Sequence, residues 1–132
     1  LSNCVMDDQL TSSILIVDDS STNIRVICNQ IKELGHKIHI AKDGVQALKL
    51  LTEIKPTMIL MDISMPNMDG FECCKRIKQS KSRRDIPVLI ISGSNDEKDM
   101  RRALNVGASA YMTKPIDAQQ LRTNIDFHMP WH

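Results

Sequence analysis

The sequence predicts an α/β fold: a doubly wound, five-stranded parallel β-sheet with helices on both faces. Three observations lead there. Short apolar runs alternate with amphipathic helical stretches five times along the chain, the pattern of strand–helix units on one parallel sheet. The runs are continuously apolar, as strands covered on both faces are. Gly35, Pro56, Gly107 and Pro130 stand where helices must stop.

The elements follow in order. Residues 14–17 form a β-branched run, the first strand. Over residues 21–34, Ile24, Ile27, Cys28, Ile31 and Leu34 recur three or four apart, one face of a helix. Residues 38–41 read as a weaker second strand. Asp43 or Gly44 opens a helix carrying Ala47, Leu48 and Leu51. Residues 58–61 are the third strand, followed by a loop with Pro66 and Gly70 and a helix with Phe71, Cys74 and Ile77 on one side. Pro87 leads into the fourth strand, 88–91. Asn95 or Asp96 caps a helix bearing Met100, Ala103 and Leu104. Residues 110–113 are the fifth strand, and after Pro115 a last helix turns Leu121 and Ile125 inward. Residues 1–12 are polar and aperiodic and read as a leader; 13–128 form the domain, and 129–132 a tail or linker. The chain opens on Leu1 rather than Met, so a longer parent protein is expected.

The bulk numbers narrow the function. At 132 residues the chain suits one domain with its own core. A net charge of +1 and no basic stripe argue against direct nucleic-acid binding. No apolar run is long enough to cross a bilayer, and no signal-peptide pattern opens the chain. Cys4, Cys28, Cys73 and Cys74 form no CxxC and have no His at zinc-ligand spacing. They read as small side chains in a reducing, cytoplasmic setting, with Cys73 and Cys74 on different sides of their helix and Cys4 an exposed thiol. His36, His39, His128 and His132 do not cluster and read as structural or exposed. The methionines read as core filling. Lys78, Lys81, Arg83 and Arg84 read as a solvated basic stretch.

In sheets of this kind ligands bind outside the carboxyl ends of the strands. Strand one ends in Asp18-Asp19, strand three in Asp62, strand four in Ser92 and strand five in Thr113-Lys114. Each residue alone would be a turn former, a cap or a surface amine; together they place three acids, a hydroxyl and an amine on one edge. Clustered carboxylates repel, and a hard divalent cation removes that cost. Oxygen donors without His or Cys favour magnesium over zinc. A carboxylate is also a nucleophile that forms an aspartyl phosphate, with Lys114 placed to pair with the phosphoryl oxygens.

The segments ILIVDDS at 14–20, ILMDISMPNMDG at 59–70, LIISGS at 89–94 and GASAYMTKPI at 107–116 resemble those of response-regulator receiver domains, the phosphoacceptor modules of two-component and phosphorelay signalling. The resemblance runs from about Ser13 to about Phe127. It implies the flavodoxin-like strand order 2-1-3-4-5, Asp62 as phosphoacceptor, and Mg2+ held by Asp19 and Asp62, by Asp18 through water and by the carbonyl of Ser64. It further implies Ser92 as switch hydroxyl, Tyr111 as switch aromatic, and Lys114 on the phosphoryl group before a cis bond to Pro115. The side chains of Ser64 and Ser94 flank this site. The implied donor is a histidine kinase or phosphotransfer protein. The implied output surface, toward a downstream domain or a second copy, is the face of helix four, strand five and helix five, near Met100, Ala103 and Gln119.

Rival readings fare worse. A magnesium phosphatase with an Asp nucleophile needs a second Asp two residues on, where Ser20 and Ser64 stand; a signalling phosphoacceptor rather than an enzyme acting on outside substrates is expected. A flavodoxin-like cofactor binder would cradle phosphate on its first loop, where Asp18 and Asp19 repel it. A receiver that only binds partners would not need the full acid set and Lys114.

Overall fold

The computed structural model describes residues 12–129. The elements are β1 (Ser13–Val17), α1 (Ser21–Ile31), β2 (Lys37–Ala41), α2 (Gly44–Leu50), β3 (Met58–Asp62), α3 (Gly70–Gln79), β4 (Val88–Ser92), α4 (Glu97–Asn105), β5 (Ala110–Thr113) and α5 (Ala118–His128). All strands are parallel, in the order β2-β1-β3-β4-β5. The chain winds from β1 outward to β2, then returns to place β3 on the other side of β1. That reversal opens a crevice between the carboxyl ends of β1 and β3.

Alternation along the buried strands splits the core in two. Leu15, Val17, Ile59, Met61, Val88 and Ile90 meet Ala47, Phe71, Cys74, Ile77 and Ala103, so α2, α3 and α4 cover one face. Ile14, Ile16, Met58, Leu60, Leu89 and Ile91 meet Ile24, Ile27, Ile31, Leu121 and Ile125 of α1 and α5 on the other. Each fully buried Leu or Ile adds roughly 1.5–3 kcal/mol, so the two layers hold the strand ends firmly.

A short polar residue starts each helix by accepting a backbone N–H: Ser20, Asp43, Asp69, Asp96 and Asp117. Of the alternatives left open, Asp43 rather than Gly44 and Asp96 rather than Asn95 are the caps. Gly35 ends the first unit at φ 81°, the left-handed region where glycine carries no Cβ penalty.

Several expectations change. The first helix gives way to a 3-10 turn at Lys32–Leu34, and Leu34 is exposed. On α4 only Ala103 is buried; Met100 and Leu104 face outward, Leu104 with 67 % of its surface exposed. Cys73 does not reach the far side of α3: it and Cys74 are both fully buried in the same layer, because α3 is covered by its neighbours on a wide arc. Burial pushes the Cys73 thiol up to about 12 and the Cys74 thiol to about 11, which makes both inert. Lys78 is not simply solvated. Its ammonium donates to the carbonyls of Arg84 at 3.0 Å and Ile86 at 2.6 Å, tying down the loop into β4, and burial holds its pKa low.

Met58, Met61, Met112 and Met129 fill the core. His36 is hydrogen-bonded to Ser12, a buried residue at the start of the domain, and His128 stacks edge-on with Phe127. Residues 1–11 of the leader, Cys4 among them, and the tail residues 130–132 lie outside the described residues. No helix among the described residues is long and apolar enough to cross a membrane.

Candidate functional site

The loops after β1 and β3 meet in the crevice. Asp18 extends the sheet by donating its backbone N–H to Ala41 O at 3.1 Å. Its carboxylate is buried and accepts from Ser20 N at 2.8 Å, which turns the chain into α1. Asp19, one residue on, faces solvent. Asp62 closes β3 with 4 % of its surface exposed. Ligand oxygens of Asp18, Asp19 and Asp62 lie within 4.8 Å of one another, so the structure brings together the three acids picked out at the strand ends.

Lys114 arrives from the far side of the sheet. Its backbone N–H donates to Ser92 O at 2.7 Å, carrying the β4–β5 ladder one residue past the strand end. The ammonium donates to Asp62 Oδ1 at 2.9 Å. The Lys114–Pro115 bond is cis, as the resemblance implied. Burial pushes the Asp62 carboxyl above its ordinary range; the Lys114 hydrogen bond opposes this, and the charges of Asp18 and Asp19 add to it.

Ser92 is buried at the end of β4, and its hydroxyl accepts from Ser94 N at 3.0 Å. Tyr111 is half-buried on β5 and donates its hydroxyl to Ser94 O at 2.6 Å. Both therefore hold the same short loop. Ser64 lies exposed, two residues beyond Asp62.

Two features here were not read from the sequence. Gly70 begins α3 directly behind the site: a Cβ on it would come within 2.4 Å of Asp62 O and 2.7 Å of Ile63 Cα. The Asp-Gly pair at 69–70 signals a turn, but nothing in it signals this close approach. Between Ser64 and Gly70 the chain makes a tight turn at Asn67, whose side chain donates to Asp43 at 3.0 Å.

Three carboxylate oxygens at this spacing fit a small cation that takes oxygen ligands and keeps water or phosphate in its remaining positions. No His or Cys joins the cluster, which disfavours zinc.

Comparison with known proteins agrees with this geometry. The family model "Response regulator receiver domain" matches residues 14–126. Protein PilG of Pseudomonas aeruginosa is 32 % identical over 117 residues, covering 89 % of this chain and 87 % of that protein. The response regulator PleD of Caulobacter vibrioides is 36 % identical over 108 residues, 82 % of this chain but 24 % of PleD. The chain thus spans less than half the length of several curated relatives it matches. Among solved structures, the signal receiver domain of a histidine kinase from Syntrophus aciditrophicus aligns with TM-score 0.83 at 30 % identity, over 89 % of each chain. The receiver domain of the sensor histidine kinase PA1611 from Pseudomonas aeruginosa PAO1, described with magnesium coordinated in its active-site cleft, aligns with TM-score 0.81 at 26 % identity, over 89 % of this chain and 96 % of that one. On the family match, its coverage and the strand-end geometry together, this chain belongs to the response-regulator receiver domains of two-component signalling.

Proposed function

We propose that the domain, read as residues 13–128 between a leader (1–12) and a tail or linker (129–132), is a cytoplasmic phosphoacceptor module; Ser12 and Met129, at the two boundaries, are buried against it. In this reading Asp62 accepts a phosphoryl group from a histidine kinase or phosphotransfer protein. The observation that carries it is the cluster of Asp18, Asp19 and Asp62 with Lys114 bonded to Asp62. Asp19 and Asp62 would hold Mg2+ directly, Asp18 through water, and the Ser64 carbonyl would complete the protein ligands. Bound Mg2+ supplies charge neutralisation between the carboxylates and the phosphoryl oxygens.

A carboxylate oxygen of Asp62 attacks the phosphorus of a phosphohistidine. The new P–O bond forms as the P–N bond breaks, and the electron pair leaves with the imidazole nitrogen. Lys114 pairs with the charge spread over the phosphoryl oxygens. Water later attacks the acyl phosphate and releases phosphate, so the module turns over only its own phosphoryl group. Ser64 and Ser94 flank that step and bear on the lifetime of the phosphoryl group. With magnesium and acetyl phosphate, the chain is expected to gain one acid-stable, base-labile phosphoryl group by intact mass; an unchanged mass refutes the reading.

The metal half has its own expected outcome. A cation that binds only the folded state stabilises it by linkage, about 2.7 kcal/mol at a hundred times its Kd. Melting is expected to rise with millimolar magnesium. Asp19→Asn is expected to weaken magnesium roughly 10–100-fold, at least what losing an outer-shell partner costs. A magnesium-independent melting curve for the wild type counts against the site.

Phosphorylation would then reset Ser92 and Tyr111. In the structure both are bonded to Ser94. If Ser92 turns to a phosphoryl oxygen, it gives up Ser94 N, and the loop that Tyr111 holds is freed to move. The output surface is the face of α4, β5 and α5, toward a downstream domain or a second copy. Met100 and Gln119, expected near this surface, are exposed, whereas Ala103 is buried and cannot contribute to it. With magnesium and fluoroberyllate, backbone NMR shifts are expected to spread from Asp62 through Ser92 and Tyr111 into α4 and α5. Ser92→Ala is expected to confine them. Shifts limited to the metal site in the wild type sink the switch.

A further inference from the structure

We propose that Asp43, acting through Asn67, is a positioning residue for the metal site: their hydrogen bond clamps the loop between β3 and α3 and so sets the affinity for the divalent cation. The proposal rests on the reading above, in which the Ser64 carbonyl on that loop is a ligand.

The loop needs a clamp. Asn67 sits at φ 69°, and among the described residues it is the non-glycine residue in that left-handed region. Met68 N donates back to Pro66 O at 2.7 Å, closing a tight three-residue turn. Turns with a positive central φ are strained and persist only when their surroundings hold them. Asn is one of the few side chains that tolerate the position.

The surroundings come from α2, on another part of the chain. Asp43 is buried and divides its two oxygens between two tasks. Oδ1 accepts Gln46 N at 2.8 Å and caps α2. Oδ2 accepts Asn67 Nδ2 at 3.0 Å and holds the turn. These bonds, the one to Gln46 first, hold the Asp43 carboxyl below its ordinary range. Beside them Met68 lies over Gly44, where an added Cβ would meet its side chain at 3.1 Å. At the base of the loop, Gly70 N donates to Ile63 O at 3.0 Å. The loop from Ile63 to Asp69 is thus fixed at its base and at its tip, with Ser64 between them. Asp43 is not one of the three clustered acids. It acts on the site only through the loop.

Because the two oxygens have separate partners, cap and clamp are separable. Asp43→Ser keeps an N-cap acceptor for α2 and removes the acceptor for Asn67. Asn67→Gly keeps the positive φ without strain and removes the donor. Isothermal titration with magnesium chloride on wild type, both variants and the double variant, with melting at zero magnesium alongside, tests the clamp. Each single variant is expected to bind magnesium about 10-fold more weakly, the scale of losing a partner that orients a ligand. The double variant is expected to bind no more weakly than either single one, since one shared bond is lost. Asn67→Gly is expected to lose affinity while its metal-free melting point holds or rises, which a merely structural bond would not produce. Wild-type affinity in the single variants, or penalties that multiply in the double variant, overturns the clamp. A wild type that binds no magnesium, or an Asp19→Asn variant that binds it as tightly as wild type, overturns the metal reading itself, in a measurement that the clamp variants do not enter.

Discussion

Asp62→Asn is expected to abolish phosphoryl uptake and, in the absence of magnesium, to stabilise the domain at neutral pH. The first effect follows from chemistry: the amide is not a nucleophile of the needed kind, and no neighbouring acid has both the depth and the lysine partner of Asp62. Uptake from acetyl phosphate is expected to fall to background, and Asp62→Ala is expected to do the same. Modification that persists in both refutes Asp62 as the main acceptor.

The second effect follows from linkage. Burial, with the charges of Asp18 and Asp19, raises the folded-state pKa of Asp62 despite Lys114. A raised carboxyl binds its proton more tightly in the folded state. Its contribution is fully present below the unfolded value of about 3.9 and is lost as pH rises through the folded one. Above that range the ionised Asp62 is a cost to the metal-free fold. Asn keeps the shape and an oxygen for Lys114 and removes the charge. Denaturant midpoints of wild type and Asp62→Asn are therefore expected to differ at pH 7 and to converge in acid. Saturating magnesium is expected to narrow the difference from the other side. A variant less stable than wild type at pH 7 without magnesium would mean that the Lys114 bond outweighs burial.

Gly70→Ala is the second large effect. The added Cβ would stand 2.4 Å from Asp62 O and 2.7 Å from Ile63 Cα. Both are backbone atoms, so no rotamer change relieves the clash. Either α3 backs away from the sheet or the end of β3 moves. Overpacking of this kind costs about 1–3 kcal/mol, occasionally more. The end of β3 carries Asp62, so stability, magnesium affinity and phosphoryl uptake are expected to fall together. Gly93→Ala is the control. It stands beside Ser92, yet an added Cβ there meets nothing within 4 Å, and its stability is expected to stay within about 0.5 kcal/mol of wild type. Equal stability and equal uptake in Gly70→Ala and wild type would show that the rim absorbs the shift.

Much of this molecule was legible in its residues because the signals were local. A run such as Ile14 to Val17, closed by two acids, is both a buried strand and a strand-end site. Asp62, Ser92 and Lys114 each follow such a run, so the rule that parallel sheets bind ligands at their carboxyl ends collected them without any distance being known. The order of the strands came from the family resemblance and not from periodicity, which cannot say which strands are neighbours.

Tertiary structure decided everything that depends on how far one surface covers another. The helical stripe on α4 named Leu104 and Met100 along with Ala103, yet the neighbours of α4 reach only Ala103. Cys73 lay off the stripe of α3 and is fully buried, since α3 is covered over a wider arc than period alone implies. Lys78 looked like part of a solvated basic run, and only the fold brings the carbonyls of Arg84 and Ile86 to its ammonium. The same holds for the bond between Asp43 and Asn67, 24 positions apart, and for the backbone of Gly70 against Asp62. Local sequence sets which face of an element is apolar and where it starts and stops. The distance between two loops, and so the strain and charge at this site, is set by packing across the sheet, to which no short stretch of sequence has access.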